Sequence, residues 1–238
     1  MTTYWSHGEK HIKVGGILKE AVFGFNDGVV STFAVVAGMT GGTVGQKTIL
    51  LAALATLVAG AFSMGLGTYL GSKFEKDHYE KELAREKYEM KYLPEIEKQE
   101  IRDIFAAKGF KGDLLEKIVV QLADNPKIWL QTMMTEELGF AGSPPKPALN
   151  GITMSVAFTI GSLFPTLPYF LHNNQVFEPF GLPVIFIISL GLSIIGLLLA
   201  GSSKTYFTGR NIFISALETL IVGAIAAVGT YGIGILLA

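Results

Sequence analysis

Five stretches of this chain are long and apolar enough to cross a bilayer: Ala21 to Gly41, Thr48 to Ser72, Ala148 to Leu171, Leu182 to Ser203 and Asn211 to Ala238. Crossing about 30 Å of hydrocarbon takes about 20 predominantly apolar residues in a helix. Helices satisfy every backbone hydrogen bond within one segment, so the sequence predicts an all-α, five-span bundle. Pro165 and Pro168 are expected to bend or end the third span. Between the second and third spans the character of the chain changes. There, from Lys73 to Lys146, lie 28 of the 39 acidic and basic residues. The expected organisation is therefore 1–72 (N-terminal segment and two spans), 73–146 (a charged helical domain) and 147–238 (three spans).

The net charge of −1, with Lys and Arg interleaved with Glu, gives no electrostatic case for a nucleic-acid partner. Cysteine is absent, which excludes disulfides, zinc knuckles and iron–sulfur ligation. The first residues, MTTYWSHGEKHIKVGG, lack the order of a cleavable signal peptide, so insertion is expected to use the first span. Threading the spans puts the N-terminus, the charged domain and the Lys204 to Arg210 loop on one side, with 18 of the 19 Lys and Arg residues and only Lys47 opposite. The positive-inside rule makes that side cytoplasmic.

Inside the first span stands Asp27, flanked by Gly24, Gly28, Phe25, Val29 and Val30, none of which offers it a charge partner. A carboxylate near mid-membrane costs about 2.5–3.5 kcal/mol on insertion scales, and such groups mark ion pathways. With a rise of about 1.5 Å per residue, three residues reach roughly 11–14 Å from the charged helix ends: Asp27 seven past Glu20, Met64 nine before Lys73, and Glu218 eight past Arg210. Two carboxylates and a thioether at one depth suit a borderline divalent cation such as Fe²⁺ better than Ca²⁺ or Mg²⁺. Met64 is also an ordinary packing residue, and Glu218 could pair with a polar group in the bundle. The glycines, Gly24/Gly28 and Gly67/Gly71 at four-residue spacing and Gly223, Gly229, Gly232 and Gly234 along the fifth span, read first as close helix packing, Gly28 beside Asp27 being the best exception.

The charged domain reads as four helices. In the first, Phe74 to Met90, Glu82, Glu86 and Glu89 share a face; Pro94 breaks it, and Glu97 and Glu100 repeat a three-residue spacing. Asp113 to Ala123 shows a packing stripe of Leu115, Ile118, Val119 and Leu122. After Asn125-Pro126, Met133 and Glu137 fall one α-turn apart. A solvated, salt-bridged surface would account for these acids, but Glu residues at i and i+4 repel unless a positive charge sits between them.

The segments FGFNDGVVSTFAVVAG, LVAGAFSMGLGTYLGSK, ELAREKYEM, PEIEKQEI, WLQTMMTEELG and VGTYGIG, in this order over nearly the whole chain, resemble the vacuolar iron transporter family. The resemblance implies a homodimer with its ion path along the subunit interface and a cytoplasmic helical metal-binding domain after the second span. It further implies export of Fe²⁺, with Mn²⁺ and other divalent ions as further cargo, in exchange for protons, and no cofactor beyond the metal itself. Carried over by motif, Asp27 and Met64 are the membrane ligands. Glu86, Glu89, Glu97, Glu100, Met133, Met134 and Glu137 are those of the domain. This chain departs from many members in the second span, where Thr56 and Thr68 stand in place of glutamates. Glu218 is expected to supply the missing charge.

The expected cycle is capture of Fe²⁺ by the domain, passage to Asp27 and Met64, and release when Asp27 is protonated. Three rivals stay open: a Mn²⁺-preferring transporter, a membrane-anchored iron sensor, and a ferroxidase. The last calls for a Glu-x-x-His motif on each of two helices, and the domain has a single histidine, His78. A chain without long tails is expected in a prokaryotic plasma membrane, or in a vacuolar-type membrane if eukaryotic.

Overall fold

The computed structural model describes residues 16–140, 142–170 and 182–238, with backbone alone at 206–208. The N-terminal stretch read above for a signal peptide and Leu171 of the third span lie outside the described residues. All regular structure among the described residues is helical: α1 (Gly16–Gly41), α2 (Gln46–Tyr92), α3 (Pro94–Ala107), α4 (Gly112–Ala123), α5 (Pro126–Thr132), a π-helical turn (Met133–Glu137), α6 (Pro147–Thr166) with a 3₁₀ turn (Leu167–Phe170), α7 (Val184–Thr208) and α8 (Ile212–Leu237). Five of these, α1, α2, α6 with its 3₁₀ turn, α7 and α8, are long and apolar enough to span a membrane. The chain forms two compact units, one from residues before Gly71 together with Pro147–Ala238, the other from Gly71–Lys146.

The first unit is built on backbone contact. A Cβ on Gly24 would stand 2.7 Å from the Met154 carbonyl oxygen, and one on Gly28 or Gly161 would overlap the carbonyl oxygens of Phe158 and Phe25. Lipid supplies no hydrophobic drive between helices, so association depends on such close packing and on interhelical hydrogen bonds. Hydroxyls provide the latter: Ser162 donates to the Gly28 carbonyl at 3.2 Å, Ser155 to Ala61 at 2.8 Å, Ser189 to Pro165 at 2.8 Å and Ser215 to Gly201 at 2.9 Å.

The same glycines fix helix direction. Gly24 meets Met154 and Gly28 meets Phe158, so α1 and α6 run parallel; Gly38 meets Thr230 and Gly42 meets Gly234, so α8 is parallel too. Gly60 meets Phe158 while Gly65 meets Ser155 and Gly151, which makes α2 antiparallel to α6. Beyond the glycine seam Phe33, Val36, Ile49, Ala53, Tyr169 and Phe186 form an apolar core. The Phe33 and Phe186 rings stack there at 5.8 Å. Pro165 lies in the last turn of α6, where the chain tightens to 3₁₀ geometry.

In the second unit α2 runs to Tyr92, Leu93 turns the chain, and Pro94 opens α3 at the first-turn position where a missing N–H costs nothing. Ile101, Val119, Trp129 and Met133 make its core. Asn125 caps α5 by accepting from the backbone N–H groups of Lys127 and Ile128 at 3.2 and 3.3 Å.

The glycine seam generates a contrast between two alanine substitutions. Gly161→Ala forces α6 off α1 and is expected to destabilise the detergent-solubilised protein by about 1–3 kcal/mol, the usual cost of overpacking. Gly191→Ala, on α7 with nothing within 4 Å of its added Cβ, is expected to be neutral or stabilising. Thermal unfolding of the two variants beside the parent checks this; equal midpoints would contradict the seam.

Candidate metal sites

The turn at Leu93 folds α3 beside α2, and it brings the two Glu pairs together. Oxygens of Glu86, Glu89 and Glu97 all lie within 4.8 Å of one another. Glu86 is 1% exposed and Glu97 2%. Both oxygens of Glu86 and Oε2 of Glu97 are buried without a hydrogen-bond partner. An orphaned buried carboxylate is costly, and such groups are ordinarily paired, protonated or bound to a metal.

The electrostatics follow from this burial. Burial pushes the Glu86 carboxyl up to about 7, and Glu137 and Glu89 add to the rise while Arg85 opposes it. Glu97 is pushed up to about 8 by burial, then by the charges of Glu100, Glu86, Glu89 and Glu137. Glu137 is raised by burial and then by Glu100. The five predicted glutamates thus act on one another from α2, α3 and the π-turn. Carboxylate oxygens of this number and burial can hold a hard or borderline divalent cation such as Mn²⁺ or Fe²⁺.

The two methionines are placed differently from one another. Met133 is 0% exposed and packs with Ile101, Val119 and Trp129, whereas Met134 lines a cavity of about 320 Å³ with Tyr79, Leu83, Lys127 and Phe140. The sequence predicts α-helical spacing here, but Met133 to Glu137 forms a π-turn in which the Leu138 N–H reaches the Met133 carbonyl at 3.2 Å. Such wide turns recur at functional sites, and this one sets the angle between Met133 and Glu137.

In the membrane unit α6 serves as a ruler. Gly28, next to Asp27, lies on Phe158, and Gly65, next to Met64, lies on Ser155. Gly28 also meets Ser162 and Gly65 also meets Gly151, so the centres of the two contacts lie about two turns apart along α6, and Asp27 and Met64 both stand against its middle. Carrying the Gly38–Thr230 register back along parallel α1 and α8 sets Thr219 level with Asp27, and so Glu218 too. Register thus sets Glu218 beside Asp27 along the bundle, but rotation does not favour it. Ser215 and Thr219 take the buried face of α8, so the Glu218 side chain turns outward, 56% exposed, 3.6 Å from Arg210. In this copy it pairs with Arg210.

Residues the sequence did not single out accompany these candidate sites. Asn26 Oδ1 and Thr32 Oγ1, either side of half-buried Asp27, are buried without hydrogen-bond partners. In the second unit, Arg85 pairs with three glutamates. The polar Asn-Asp step within an apolar span is the signal for Asn26; the environments of Thr32 and Arg85 arise only from the fold.

Residues 18–235 match the VIT family. The chain belongs to that family. It is 38% identical over 226 residues to a protein named vacuolar iron transporter 1 of Tulipa gesneriana, covering 94% of this chain and 89% of that one. It is 36% identical to the Arabidopsis thaliana protein of the same name, over 94% and 88%. A Toxoplasma gondii vacuolar iron transporter is 34% identical over 97% of this chain and 78% of its own length. These relatives are named as transporters, not enzymes, and this VIT family chain is a multi-pass membrane protein.

The raised carboxyls predict a pH dependence. Glu86, Glu97 and Glu137 bind protons more tightly in the folded protein than in the unfolded chain. The metal-free protein therefore holds their full stabilisation below the unfolded value near 4.5 and loses it as the pH rises through about 7 to 8. Thermal unfolding of metal-free protein is expected at lower temperature at pH 8.5 than at pH 6. Added Mn²⁺, which competes with those protons, is expected to raise the midpoint more at the higher pH. Glu97→Gln should flatten both trends.

Proposed function

We propose that this VIT family protein exports Fe²⁺ from the cytoplasm in exchange for protons. The observation that carries the reading is a cluster of converging glutamates, Glu86 and Glu97 almost wholly buried, on the same chain as a half-buried carboxylate, Asp27, inside a membrane span. Relatives named vacuolar iron transporters support iron as the cargo. In this reading the Gly71–Lys146 unit is cytoplasmic, in line with the distribution of Lys and Arg. Its glutamates Glu86, Glu89, Glu97, Glu100 and Glu137 collect the ion and raise its local concentration.

The ion then meets Asp27 and Met64 against the middle of α6, an oxygen ligand and a sulfur one. Protonation of Asp27 from the far side removes the negative charge that holds the metal, so one group serves as ligand and as proton carrier. A homodimer completes the proposal. Ala55, Ala59, Ser63 and Gly67 form an exposed four-residue stripe of small side chains on α2, a surface fitted for close approach of another helix in lipid.

One observation supports Mn²⁺ as a second cargo. Met133 is packed in the apolar core, and the converging carboxylates of Glu86, Glu89 and Glu97 supply oxygen donors, which suit Mn²⁺. In the membrane unit the sulfur ligand of this reading is Met64.

Flux into proteoliposomes under an imposed pH gradient tests both parts. Wild-type protein is expected to carry Fe²⁺ in a gradient-dependent manner, Asp27→Asn to fall to background, and Met64→Leu to lose more Fe²⁺ than Mn²⁺ transport. Undiminished, gradient-dependent flux in Asp27→Asn would remove Asp27 from the path. Absence of wild-type flux for either ion would overturn the transport reading.

A further inference from the structure

The guanidinium of Arg85 occupies the rim of the glutamate cluster. Its Nη1 lies 2.9 Å from Glu82 Oε2, its Nε 3.3 Å from Glu89 Oε2 and its Nη2 3.7 Å from Glu86 Oε1. Two of these partners, Glu86 and Glu89, belong to the trio whose oxygens converge, and the third, Glu82, does not. The Glu82 side chain is 10% exposed, and its further contact is with His78 Nδ1 at 3.8 Å. Glu82 thus has little reason to be buried there apart from Arg85.

We infer that Arg85 is a tethered counter-cation: it holds the empty cluster together and must withdraw onto Glu82 before a divalent ion can bind Glu86 and Glu89. The inference rests on reading the cluster as a cation site. Arginine cannot leave by giving up its proton, so displacement is the only way it can yield. A divalent ion seated on Glu86 and Glu89 would repel a guanidinium held within a few ångströms of the same oxygens. The shortest of the three pairs, that with Glu82, supplies the place to which Arg85 retreats. Arg85 and Glu82 are therefore positioning residues that set how much free metal is needed to fill the cluster. Ions held weakly by carboxylates fail to displace the arginine.

The test is Mn²⁺ titration of the full-length protein in detergent, paired with thermal unfolding of metal-free and Mn²⁺-loaded samples. Arg85→Gln is expected to bind Mn²⁺ about three- to tenfold more tightly, the worth of one or two partly exposed ion pairs. Its metal-free midpoint is expected to fall while its loaded midpoint holds. Glu82→Gln is expected to bind more weakly than wild type, because Arg85 then stays on Glu86 and Glu89, and to have no effect in the Arg85→Gln background. Should Arg85→Gln not fold, Glu82→Gln and Arg85→Lys decide the matter, the latter binding more tightly than wild type by a smaller factor.

Equal or weaker binding by Arg85→Gln, or an equal fall in both midpoints, would overturn the inference, since a merely structural arginine stabilises both forms alike. If wild-type protein shows no Mn²⁺ binding that Glu86→Gln abolishes, the cluster is not a metal site and the inference falls with that reading. Wild type and Glu86→Gln alone distinguish that failure.

Discussion

The mutual repulsion of Glu86, Glu89, Glu97, Glu100 and Glu137 is the interaction on which the second unit depends. Two of these side chains are almost wholly buried, and three of their oxygens have no hydrogen-bond partner. Such an arrangement is stable only when protons, Arg85 or a metal ion offset the charge, and each of these excludes the others to a degree. In the proposed reading the unit is poised between a protonated or arginine-held state and a metal-held one. Its helices serve that end: the break at Leu93 and Pro94 sets the two Glu pairs face to face, while Ile101, Val119, Trp129 and Met133 hold the elements that carry them.

The membrane unit solves a different problem with different means. Asp27 must be kept in an apolar span without being allowed to drift, and the glycines on either side of it press α1 against α6 through backbone contact. Because Gly65 presses α2 on the same helix, the depths of Asp27 and Met64 are tied to one another through α6. Buried polar atoms of Asn26, next to Asp27, and of Thr32, about 7.5 Å further along α1, extend the polar character of this stretch. A carboxylate, a thioether and these amide and hydroxyl groups are what the proposed ion path has to work with.

Much of this was legible in the sequence because length and charge are one-dimensional. Five apolar runs declare five spans whatever their neighbours, and a fixed rise per residue places Asp27, Met64 and Glu218 well within theirs. Rotation about the helix axis is not so readable. Each residue turns the direction by about 100°, so Glu218 is carried outward once Ser215 and Thr219 claim the packed face of α8. The same limit separates the glycines: Gly24 and Gly28 meet a neighbouring helix, whereas Gly67 and Gly71, at identical spacing, meet nothing within this copy. In the second unit the spacing of the glutamates pointed to a cluster, but the bridging role of Arg85 and the π-turn at Met133 did not follow from pattern, since both depend on which partners the fold brings near.

The central claim is that a divalent cation completes the buried glutamate cluster. Crystals of the full-length protein grown with Mn²⁺, measured at the manganese absorption edge, would locate the ion directly. The account predicts an anomalous peak within coordination distance of carboxylate oxygens of Glu86 and Glu97. A saturated, well-ordered crystal with no peak there, or with peaks only at exposed acidic residues, would contradict it.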